Sequence, residues 1–165
     1  MNRLTLASTI KDAFGSVLLG NGIGVYEAEA IDNYKSQKEI AEAREKDRSV
    51  WKYWGEIPEN VIRTFSDALC FVDPEGMRFL LPAFMLYAVN NYDKSDSNTV
   101  DSAIYALDRG IDAFGHHEAM LSQEQKEAVI SFLKFMAFEA GEDNVDTEVA
   151  TRAYVNHWVK YDKQT

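Results

Sequence analysis

Apolar residues return at helical intervals along most of this chain. Leu6, Ala7, Ile10, Phe14, Val17 and Leu18 form one stripe, which predicts an amphipathic helix over about 4–19. Gly20-Asn21-Gly22-Ile23-Gly24 ends it, because glycine and asparagine tolerate the left-handed backbone of a helix C-terminus. From Val25 to about Arg48 the stripe thins to Ala30, Ile31, Tyr34, Ile40 and Ala41 in a stretch rich in Ala, Glu and Lys. These are good helix formers, so a long, solvated helix on the outside of a bundle is expected, breaking near Asp32-Asn33. Glu42 and Lys46 stand four apart in the favourable order and support it.

Pro58 suits the first turn of the next helix, where its missing N–H would have no partner anyway. Val61, Ile62, Phe65, Leu69 and Val72 supply the apolar face that follows. Asp73-Pro74-Glu75-Gly76 has the pattern of a tight turn, with Pro second and Gly fourth. Met77 to Leu81 should then be extended, since the residue before Pro82 is pushed away from helical geometry. Pro82 is expected to open a helix from Ala83 to about Asn91, apolar nearly all round and therefore central. After a polar loop, Val100, Ala103, Ile104, Leu107 and Ile111 mark a further helix. Ser122-Gln123-Glu124-Gln125 is a capping box opening another, with Ala128, Val129, Phe132, Leu133 and Met136 on one face. Gly141 stops that helix, and Asp146 or Thr147 caps a last one carrying Ala150, Tyr154, His157, Trp158 and Tyr161. No long segment alternates with the period of a strand. The expected fold is all-α: a single domain over 1–165, a bundle of six to eight helices with a short extended segment near 77–81. The tail over about 160–165 is expected to be disordered.

The chain is 46% apolar and 27% charged, a balance that buries a core without metals or disulfides at this length. Its net charge of −10 repels phosphate backbones, and no Lys/Arg cluster offsets this, so nucleic acid is not an expected partner. No run reaches the roughly 20 apolar residues of a membrane span. Lys11 and Asp12 interrupt any signal-peptide core, and Cys70, the only cysteine, allows no intrachain disulfide. A cytoplasmic protein is expected.

Candidate chemistry is sparse. Asp108, Asp112 and His116 are spaced to share one helix face, and His117 and Glu118 adjoin them. A metal site would use Asp112 with His116 or His117, although Gly110 and Gly115 argue against a continuous helix there. The Glu-x-x-His motif of di-iron bundles is absent, and the three histidines are too few for a haemerythrin-like site. Counting an EF-hand from Glu142 puts Thr147 and Ala153 where Gly and Glu are required, so calcium is not expected. The glycine run at 20–24 follows a helix rather than a strand and lacks GxGxxG spacing, which favours a plain turn over a phosphate cradle. Nothing near Cys70 would depress its pKa, and it reads as a small core residue. Trp51, Tyr53 and Trp54 either anchor a partner or close the bundle, and Arg78 beside the 73–76 turn either binds an anion or packs its stem.

Three sets of residues together carry a resemblance. Ala13-Phe14, Gly22-Ile23-Gly24, Asp32 and Trp54-Gly55-Glu56-Ile57-Pro58 open it, Phe71-Val72-Asp73-Pro74-Glu75-Gly76-Met77-Arg78-Phe79-Leu80-Leu81-Pro82-Ala83-Phe84-Met85 is its most specific part, and Leu121-Ser122-Gln123-Glu124-Gln125 with Val129 and Phe132-Leu133 closes it. Over about residues 8 to 138 the chain resembles an uncharacterised family of small, stand-alone bacterial proteins, a domain of unknown function. Leu80 stands where such proteins usually carry an aromatic residue. The resemblance implies no activity, no cofactor and no catalytic residue. The expected function is therefore a non-enzymatic helical module that binds another protein, in the manner of an immunity or antitoxin-type inhibitor. Its contact would run through Trp51, Tyr53, Trp54 and Arg78 or through the charged helix, and self-association is compatible with it. The alternative is a small metal-binding protein or enzyme built on Asp112, His116 and His117.

Overall fold

One helix, Pro74–Asn91, lies at the centre of the bundle, and its Met77, Phe79, Leu80, Leu81, Phe84, Met85, Ala88 and Val89 are all buried. It is the fifth α-helix of the computed structural model, which describes residues 1–95, 97–115 and 120–163. Before it come α1 (Arg3–Phe14), α2 (Val25–Asp32), α3 (Gln37–Val50) and α4 (Glu59–Thr64). After α5 come α6 (Thr99–Asp108), α7 (Gln123–Phe138) and α8 (Thr147–Ala153). The protein is all-α: eight α-helices with short 3-10 turns and one π turn, and no strand, among the described residues. α5 packs against α1, α4 and α6, and α7 closes the bundle on α1 and α8.

The extended segment expected at 77–81 does not exist. Pro74 occupies the first position of α5, and Asp73 is the cap, accepting the Gly76 N–H at 2.8 Å. Asp73-Pro74-Glu75-Gly76 is thus a helix start rather than a free turn. Pro82 lies inside the helix, where it removes a hydrogen bond and costs about 3 kcal/mol in an open helix. Phe79, Leu80 and Leu81 are each wholly buried, and each such side chain contributes about 1.5–3 kcal/mol. Packing outweighs the proline.

The 20–24 loop docks on the start of this helix. Glu75 Oε2 accepts the Asn21 N–H at 3.1 Å, and Asp73 Oδ1 accepts the Ile23 N–H at 2.9 Å. Carboxylates of the same chain hold these loop N–H groups, the role a phosphate would take in a nucleotide site. Glycine is required on both sides of the contact. A Cβ on Gly76 would lie 2.2 Å from the Ile23 carbonyl oxygen, and one on Gly22 would lie 2.6 Å from the Gly76 nitrogen.

Two tryptophans close helix ends. α1 stops at Phe14, short of the expected 19, and Val17 and Leu19 are buried from the irregular chain that follows. The Phe14 carbonyl, at the helix terminus, accepts the Val17 N–H at 3.0 Å and Trp54 Nε1–H at 2.8 Å. Its neighbour Ala13 accepts from Gln125 Nε2 at 3.2 Å. Trp158 repeats the device, donating to the Leu107 carbonyl near the end of α6 at 2.9 Å. The capping box read at Ser122–Gln125 is present. Residues 160–163, read as disordered tail, are held by Lys134 to Asp162 at 2.6 Å and Lys163 to Glu127 at 2.7 Å. None of the described helices is long and apolar enough to cross a membrane.

Candidate partner-binding site

The residues proposed as an aromatic anchor separate in the structure. Trp51 is 8% exposed and Trp54 2% exposed, so both rings belong to the core, and of the three only Tyr53 reaches solvent. Trp51 stacks on Tyr26 at 5.8 Å, and Tyr53 packs edge-on against Trp54 at 5.9 Å. Arg78 is half-buried, with its Nε enclosed and without a hydrogen-bond partner among the described residues.

Asp108 and Asp112 do not share one helix. α6 ends at Asp108, a 3-10 turn spans Gly110–Phe114, and Gly115 closes it in the left-handed conformation. Asp108 is engaged by Arg152, with Nε and the second guanidinium nitrogen at 3.1 and 2.6 Å from its two oxygens. Asp112 lies in the 3-10 turn, while His116 and His117 lie outside the described residues. Among the described residues, no group of three or more His, Cys, Asp or Glu side chains could hold a metal ion.

What stands out from the body is the α2–α3 hairpin. α3 packs chiefly on α2, and of its fourteen residues only Asp47 is buried. Ser36 and Glu39 form a capping box that starts it. The hairpin is tied at its base by a cap supplied from the other helix. Gly24, at the N-cap of α2, has no side chain to offer. The Asp47 carboxylate takes that place, accepting the Tyr26 and Glu27 N–H groups at 3.1 and 2.9 Å. A Cβ on Gly24 would lie 2.4 Å from Asp47 Cγ, so the glycine makes room for the carboxylate. Beside it, Glu27, only 1% exposed, accepts Arg44 Nε at 2.9 Å, and the Lys46 ammonium sits 3.6 Å above the Tyr26 ring.

Burial pushes the Asp47 carboxyl above its ordinary range; the Glu27 and Tyr26 N–H bonds oppose the shift and the Glu27 charge adds to it. A carboxyl raised in the folded state contributes stability that is fully present below its unfolded pKa of about 3.9 and is lost as pH rises through the folded value. Asp101, raised by burial against Asp146, behaves alike, so the comparison must isolate Asp47. Urea melts of wild type and Asp47→Asn from pH 7 down to pH 4 should show the wild type gaining on the variant as pH falls. A constant difference would contradict the shift.

The hairpin tip carries an outlier. α2 ends in a Schellman pattern, with Tyr34 N–H to the Ile31 carbonyl and Lys35 N–H to the Ala30 carbonyl, both at 3.0 Å. The position that needs the left-handed backbone, normally glycine, is Tyr34 at φ 52°. Its ring is 96% exposed, so the stripe that included Tyr34 among core positions was misread there. A bulky residue in this conformation costs about 1–2 kcal/mol, and the exposed ring returns almost nothing to the fold. The signal in the sequence was Asn33-Tyr34-Lys35-Ser36 followed by Glu39, a helix end running straight into a capping box.

No curated protein and no solved structure matches the chain. A family model does match, over residues 2–162, which extends the resemblance carried by the 54–58, 73–85 and 121–125 segments to nearly the full length. The chain belongs to DUF6714, a family of unknown function.

Proposed function

We propose that this protein is a non-enzymatic protein-binding module that uses the tip and outer face of the α2–α3 hairpin, with Tyr34 as its anchor. The observation that carries the reading is the strained, exposed Tyr34: glycine would serve the fold better at that position. Tyrosine offers a large, stiff, amphipathic contact, which is why it is enriched at the centres of interfaces. Around it Lys35, Lys38, Glu39 and Glu42 supply a rim of mixed charge whose own ion pairs, at 3.8 and 3.9 Å, are solvated and weak. The net charge of −10 favours a basic partner, as an immunity or antitoxin-type inhibitor would need.

Tyr34→Gly separates binding from folding. It should raise stability by about 1 kcal/mol, because glycine relieves the left-handed strain. A photoreactive phenylalanine at position 34 should cross-link one defined protein in cells, while the same group at Tyr105, exposed on α6, should not. The purified complex should then lose about thirtyfold in affinity on Tyr34→Gly, the effect of an anchor worth about 2 kcal/mol. Equal labelling from both positions, or unchanged affinity in the more stable variant, overturns the reading.

A further inference from the structure

We draw no further inference here: the strongest candidate, the open groove on the outer side of α7 lined by Ile130, Phe135 and Phe138, is a recessed apolar face, and nothing in the structure shows what covers it.

Discussion

Gly76→Ala is expected to destabilise the protein by about 3–5 kcal/mol, a large share of the 5–15 kcal/mol that holds a domain together. In an isolated helix the same change would stabilise by about 1 kcal/mol, because alanine is the better helix former. Here the sign reverses. The added methyl would sit 2.2 Å from the Ile23 carbonyl oxygen, and neither backbone can yield cheaply. Ile23 is held to Asp73 by its N–H at 2.9 Å, and the same Asp73 oxygen caps α5 through Gly76 N–H at 2.8 Å. Gly22→Ala strikes this contact from the loop side. Denaturant melts of the two single variants and the double should show the double costing less than the sum, because either methyl alone already forces the loop off the helix. Additive effects, or a Gly76→Ala protein as stable as wild type, would mean that the loop moves away without loss.

The second large effect is at Trp54. Removing the ring with Trp54→Ala should cost about 3–5 kcal/mol, since the residue is 2% exposed and its loss would leave a cavity in the core. Trp54→Phe keeps most of the apolar contact but removes one of the two donors to the Phe14 carbonyl, leaving the Val17 N–H, which should cost about 0.5–1.5 kcal/mol. Thermal melts of both variants therefore divide packing from helix capping. If phenylalanine proved as costly as alanine, the indole N–H bond would dominate. If phenylalanine cost nothing, the Val17 N–H alone would satisfy the end of α1.

Fold class was legible because helical periodicity and the Ser122–Gln125 box are local signals, readable without neighbours. The start of α5 was not. Asp73-Pro74-Glu75-Gly76 fits a turn and a helix cap equally well, and the choice was made by the 20–24 loop arriving from fifty residues away. Pro82 misled for a related reason: its local cost is real, and only the burial of Phe79, Leu80 and Leu81 on all sides outweighs it. The candidate site was legible in part. The break at Asp32-Asn33 was expected and occurs, but Tyr34 was counted as core because its spacing fits the stripe. Spacing carries no information about a backbone angle. Trp51 and Trp54 could be read either way until their indoles were placed, Trp51 stacked on Tyr26 and Trp54 donating to the Phe14 carbonyl.

The bond from Ile23 to Asp73 joins segments fifty residues apart. A contact of that separation is reached only after the chain between has been drawn in, so it is expected to form late on the folding route. Interactions absent from the transition state leave the folding rate nearly untouched and act on unfolding. The clamp between the glycine loop and α5 should therefore govern how long a folded molecule survives rather than how quickly it assembles.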